Sequence, residues 1–167
     1  MDLSTFHLPR FHELPSVPLY KEQVITYLED VMNPITIHTD EKLLTPTMLN
    51  NYVKQKIVSP PKDKKYTQNH LAYLIVVCLL KQLFSLHEVC DLIRIQIKYG
   101  DIEPSYDCFC TEVEKALYAA FHTRDFSYLS SEVNMKWESE LLRSVVMSFA
   151  HKLYTQDELY KKLHSSV

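Results

Sequence analysis

Glycine is nearly absent. Gly100 is the only one in 167 residues, which excludes phosphate-cradling loops of the G-x-x-x-x-G-K or G-x-G-x-x-G kind, because these need several glycines. The same scarcity counts against folds built from many tight hairpins, whose turns favour glycine. Long apolar runs are missing too. The longest uncharged one, Leu71–Leu80, is about half of the ~20 residues a membrane-spanning helix requires. The first twenty residues hold Asp2, Glu13 and three prolines where a secretory leader would be apolar. Four cysteines give no disulfide-framework density. The expectation is a reduced, cytoplasmic chain of mainly α class, without membrane association.

Catalytic signatures are equally scarce. No H-E-x-x-H or G-x-S-x-G occurs, and the histidines lie without partners at metal-ligand spacing. Cys108-x-Cys110 is the one pair suited to a soft metal or a redox role, but the spacing is not the C-x-x-C of structural zinc. Cysteines on the apolar side of a helix are more often small core residues. No enzyme, cofactor or metal site is expected.

What the chain does have is periodicity. Apolar residues make up 46% of it and fall in helical segments. Pro9, Pro15 and Pro18 keep the opening irregular, while Phe6, Leu8, Phe11 and Leu14 give this arm a side to bury. Val24, Leu28, Val31 and Met32 then share one face of a first helix, which Pro34 ends, and a loop follows through His38–Lys42. Thr45 is placed to cap a second helix with Pro46 at its first position, where a missing N–H costs nothing. Met48, Leu49, Tyr52 and Val53 point it inward; Thr47, Asn50, Asn51 and Lys54 form the outward stripe. Ser59-Pro60-Pro61 stops it. Thr67 opens a third helix whose "LAYLIVVCLL" is apolar all round, the mark of a surrounded central helix. Ser85-x-x-Glu88 is a capping box for a fourth helix through about Tyr99. Beyond Gly100 the expected helices are 105–121, burying Phe109, Val113, Leu117 and Phe121, and one from Ser131 past Leu142, Val145, Phe149 and Leu153. A second capping box, Thr155-x-x-Glu158, suggests a separate short last helix.

Charge is segregated. From Lys42 to Gln82 seven cations face the single acid Asp63, a net of +6, which leaves −9 for the rest of a chain whose total is −3. That distribution suits a polyanionic partner for one part of the molecule, although a merely solvated loop would look the same. Beside the basic loop, the second helix offers two amides and a lysine with no acid. Asn suits an adenine edge in the major groove, and Lys suits phosphate or guanine.

The run "TPTMLNNYVKQKIVSPPKDKKYTQNHLAYLIVVCLLKQLFSLHEVCDLI" (45–93) resembles the MerR-like winged helix-turn-helix DNA-binding domain. Leu49 and Tyr52 match the inward positions of its recognition helix, Ile57-Val58 its hydrophobic exit, and Lys64, Tyr66 and Thr67 its wing. "FSLHEV" (84–89) matches its last element. The opening "LPRFHELPSVPLYKEQVITYLEDV" (8–31) resembles an uncharacterised bacterial family, a domain of unknown function, that places such a domain first. Asn50 and Asn51 replace the Arg and Tyr of the MerR pattern, Lys56 replaces its turn glycine, and the wing carries lysines for arginines.

The resemblance implies a transcription regulator with a MerR-like winged helix-turn-helix domain over 1–100 and a helical C-terminal extension, dimerising or regulatory, over 101–167. Thr47, Asn50, Asn51 and Lys54 would meet the major groove, and Lys62, Lys64, Lys65 and Tyr66 would line the wing. A pseudo-palindromic DNA site and a homodimer through the C-terminal helices follow from the same resemblance. The stripe Leu142, Val145, Phe149, Leu153 is the candidate seam, unless it packs on the chain's own helix 105–121. The alternative function is a protein–protein interaction module that keeps the shape and turns its lysines to an acidic protein.

Overall fold

The structure, a computed structural model, describes residue 3 and residues 5–36, 42–97, 101–127 and 136–164. It is mainly helical. Strand β1 (Leu19–Tyr20) leads into α1 (Lys21–Met32), followed by α2 (Pro46–Lys54), β2 (Lys65–Tyr66), α3 (Gln68–Leu80), α4 (Leu86–Ile97), α5 (Ile102–Tyr118) and α6 (Trp137–His164). The sheet is a two-stranded antiparallel patch with Leu19 opposite Tyr66 and Tyr20 opposite Lys65. The loop expected over His38–Lys42 lies outside the described residues except for its last residue.

Helix α3 sits where its sequence demands. Leu71, Ala72, Leu74, Ile75, Val77, Cys78, Leu79 and Leu80 are all buried, because a helix without a polar stripe finds no face to offer water. The other helices pack one stripe each. α1 buries Val24, Ile25, Leu28 and Met32, and passes through a 3₁₀ turn at Asn33–Ile35 where Pro34 stops it. The Ser85 capping box forms as expected: the Glu88 carboxylate accepts from the Ser85 N–H and hydroxyl at 2.8 Å each.

The N-terminal arm is a strap, as its apolar spacing requires. Leu8 and Leu14 are buried, and polar anchors hold the arm along α5. Arg10 pairs with Glu114 through both nitrogens at 2.8 and 2.6 Å. The Phe11 N–H donates to Asp107 at 2.7 Å, and the Tyr106 hydroxyl donates to the Pro9 carbonyl at 2.8 Å.

Beyond residue 100 the chain departs from the expected elements in two places. The capping box at Thr155 is not used. α6 is one unbroken helix of 28 residues, and the Thr155 hydroxyl instead donates back to the His151 carbonyl at 2.8 Å, a bond threonine makes inside a helix. Secondly, α5 begins at Ile102 and ends in a π-helical turn, Ala119–Thr123, closed by Arg124 in the left-handed region (φ 54°). The start expected at Ser131 lies outside the described residues. Val145, Phe149 and Leu153 are buried in the chain's own core, so the stripe weighed as a dimer seam closes an intrachain interface. Buried residues on both sides of residue 100, from Leu8 to Leu153, form one continuous cluster.

Candidate functional site

The basic corner is built by α2, its exit and the hairpin that follows. The Thr45 hydroxyl accepts from the Met48 N–H at 3.1 Å and Pro46 occupies the first turn, so the start of α2 is fixed locally. Leu49 and Tyr52 are buried. That seating leaves Thr47, Asn50, Asn51 and Lys54 on the opposite, exposed side.

The exit is sharp. The Ile57 and Val58 N–H groups both donate to the Tyr52 carbonyl, at 2.8 and 3.2 Å. To allow this, Lys56 takes φ 59°, a left-handed conformation that glycine adopts without cost and a lysine does not. A left-handed turn position is thus held by a residue poorly suited to it. Val58, buried, anchors the far side.

After the two prolines the chain makes a tight hairpin. Lys62 and Lys65 exchange backbone hydrogen bonds of 3.1 and 2.9 Å around Asp63 (φ 50°) and Lys64 (φ 63°). Two consecutive left-handed residues are the type I′ pattern, whose twist matches paired strands. Lys62 and Lys64 are exposed. Lys65 is half-buried, its ammonium 5.1 Å from the centre of the Tyr20 ring, so part of its charge is directed at an aromatic face.

Tyr66 corrects the expected surface. It is 4% exposed, a core residue, because the strand alternation that leaves Lys65 outside turns Tyr66 inward. Burial pushes its hydroxyl pKa up, helped by the negative charge of Glu22. Its ring meets His70 edge-on at 5.4 Å. His70 is the joint of the corner: Nδ1 accepts from the Thr67 N–H at 3.0 Å, and Nε2 lies 3.0 Å from the Ser59 hydroxyl. One ring thereby caps α3 and ties down the segment before the hairpin.

The surface is electrostatically open. Among the described residues, Lys54, Lys56, Lys62 and Lys64 form no ion pair, and Asp63 at the hairpin tip is the single acid between Lys42 and Gln82. The flanking cations are engaged elsewhere. Lys42 pairs with Glu29 at 3.6 Å, and the Lys81 ammonium donates to the Leu43 carbonyl. Lys56 is exposed as well and adds its charge to the corner. Its signal was its place between Lys54 and the hairpin, two residues beyond the helix end.

The cysteine pair does not converge. Cys108 is exposed and Cys110 is buried, since positions two apart on a helix point to different sides. Burial pushes the Cys110 thiol up to about 12, which disfavours a thiolate. Among the described residues no group of three or more His, Cys, Asp or Glu side chains is placed to hold a metal ion. Nor, among them, is any helix long and apolar enough to cross a membrane.

No curated protein and no solved structure matches the chain. A family model, the domain of unknown function DUF1836, matches residues 9–121. The matched segment begins in the strap and ends in the π turn after α5, so it takes in both the basic corner and the helix that holds the strap. On that match, the chain belongs to the DUF1836 family.

Proposed function

We propose that this protein is a cytoplasmic DNA-binding transcription regulator of MerR-like winged helix-turn-helix type, and that the face formed by α2 and the 62–65 hairpin meets the duplex. One observation carries the reading: an exposed stripe free of acids, Thr47, Asn50, Asn51 and Lys54, stands beside hairpin lysines that no carboxylate among the described residues neutralises. α2 is then the recognition helix and the hairpin is the wing. Asn50 and Asn51 present amides able to make paired hydrogen bonds to an adenine edge, Lys54 reaches guanine or phosphate, and Lys62 and Lys64 hold phosphates. β1 supports this assignment by fastening the wing's return strand to the start of α1.

In this reading the protein acts as a homodimer on a pseudo-palindromic site. Because the Val145–Leu153 stripe is occupied within the chain, the C-terminal contact falls to the last turns of α6, where Leu159 and Leu163 are exposed one turn apart.

The test is selection of bound genomic fragments, followed by titration of the selected DNA at several salt concentrations. Binding that weakens steeply with salt, at sites of two-fold symmetry, is the expected outcome. An affinity indifferent to salt, or none at all, sinks the regulator reading and leaves the same lysines to an acidic protein partner.

A further inference from the structure

His70 sits where the first turn of α3 meets the segment leading into the hairpin, and its two ring nitrogens have unlike partners. Nδ1 is 3.0 Å from the Thr67 backbone nitrogen. A backbone N–H can only donate, so Nδ1 carries no hydrogen and accepts. In the neutral ring the hydrogen is therefore on Nε2, which donates it to the Ser59 hydroxyl at 3.0 Å. This tautomer is the reverse of a nucleophile–base pair, in which the ring would accept from the serine. The bond ties Ser59 down without activating its hydroxyl.

The arrangement suits one ring hydrogen and not two. A second proton would go to Nδ1, where it would point at the Thr67 N–H. The Thr67 hydroxyl, 2.9 Å from the same nitrogen, can turn to accept from it, but the backbone donor cannot. The imidazolium would also stand in the first turn of α3, the end of a helix that disfavours positive charge. Among the described residues His7 and His87 pair with carboxylates, and His70 does not. The Tyr66 ring meets it edge-on at 5.4 Å. Glu22 on the neighbouring α1 acts on Tyr66 and makes no pair with His70. The other charges of the corner are the ammoniums of Lys62, Lys64 and Lys65, in the hairpin that Ser59 leads into.

From this geometry we propose that His70 is a proton-operated latch on the basic corner. With one ring hydrogen it fastens Ser59, and with it the approach to the hairpin, to the start of α3. On taking a second it lets go of the Thr67 N–H and frees that segment. The fastened state belongs to higher pH and is lost as pH falls through the titration of the ring, histidine being the side chain whose charge changes between about pH 5 and 8. The latch depends on contacts within the corner and not on what the corner binds.

Nuclear magnetic resonance of the full chain tests it. At about pH 8, long-range proton–nitrogen correlation should place the His70 ring hydrogen on Nε2. Between about pH 8 and 5 the amide signals of Ser59 and Thr67 should move with the same midpoint as the His70 ring. At the acid end the Thr67 amide should exchange with solvent at least about fivefold faster than in His70→Gln at the same pH, the ~1 kcal/mol of a helix cap. Glutamine keeps an acceptor at this position and has no proton to gain, so in that variant the two amides should not follow the acid transition. Circular dichroism establishes that the variant is folded. Should it unfold, the wild-type tautomer and the shared midpoint decide the matter. A ring hydrogen on Nδ1, a Thr67 amide that titrates apart from the His70 ring, or an acid response kept in folded His70→Gln overturns the proposal.

Discussion

Arg10 and Glu114, separated by 104 residues in sequence, meet in a two-point ion pair with nitrogen–oxygen distances of 2.8 and 2.6 Å. The pair is about four-fifths buried on both sides, and the Leu8 N–H adds a third bond to the same carboxylate at 2.8 Å. It is the main polar fastening of the strap.

The pair makes the strap acid-sensitive. Burial alone raises the Glu114 pKa, but the bonds from Arg10 and Leu8 outweigh it and hold the carboxyl below its ordinary 4.5. A carboxyl depressed in the folded state contributes fully above its unfolded pKa, and that contribution is lost as pH falls through the folded value. Melting temperature should therefore drop as pH is lowered below about 5. Glu114→Gln should flatten that part of the profile and cost about 1–3 kcal/mol at neutral pH, read from urea titrations.

The hairpin lysines should differ in their effect on DNA. Lys62→Ala and Lys64→Ala are each expected to reduce the slope of log affinity against log salt by about one. Lys65→Ala should change it less, because that ammonium lies against the Tyr20 ring. A larger loss at Lys65 than at Lys64 would place the phosphates on the other side of the hairpin.

At the exit of α2, Lys56 holds a left-handed backbone at φ 59°. Lys56→Gly should leave stability unchanged or raise it by up to about 1 kcal/mol, while Lys56→Val should lower it by about 1–2 kcal/mol. Urea denaturation midpoints compare the two; if valine is tolerated as well as glycine, the turn is not fixed as described.

His70 is expected to act through its acceptor nitrogen. His70→Ala should cost about 1 kcal/mol through loss of the cap at Thr67. His70→Gln, which returns an acceptor to the third position of the helix, should recover part of it. Equal losses in thermal melts of the two variants would mean that the Tyr66 contact, not the cap, is what matters.

Phe149→Ala should destabilise by about 3–5 kcal/mol, since Phe149 is 2% exposed within the single core cluster. Fluorescence and circular dichroism should still report one coincident transition. Two separated transitions would show that α6 and the N-terminal helices unfold independently.

Much of this fold was legible wherever local chemistry decides it. The apolar run of α3, the Thr45–Pro46 start and the Ser85–Glu88 box each satisfy their own backbone within a few residues, and each forms as read. Tyr66 was misplaced because its side of the strand is set by β1, a two-residue partner too short to leave a pattern. The box at Thr155 went unused because α6 already runs through that position, where Phe149 and Leu153 pack it against the core. The strap's anchors were out of reach for another reason: nothing near Arg10 announces a carboxylate a hundred positions away. The stripe Thr47–Lys54 was readable because helical spacing alone puts it opposite Leu49 and Tyr52.

The distance between strap and dock also sets an order of events during synthesis. The strap leaves the ribosome well before its dock, because Asp107 and Glu114 follow only about a hundred residues later, some 5–20 s at ordinary elongation rates. Through that interval the Leu8 N–H and Arg10 have no Glu114 to bind, and the basic corner is complete in sequence before the arm can dock. A segment made early is thus fastened late, since its polar anchors form only once α5 has followed.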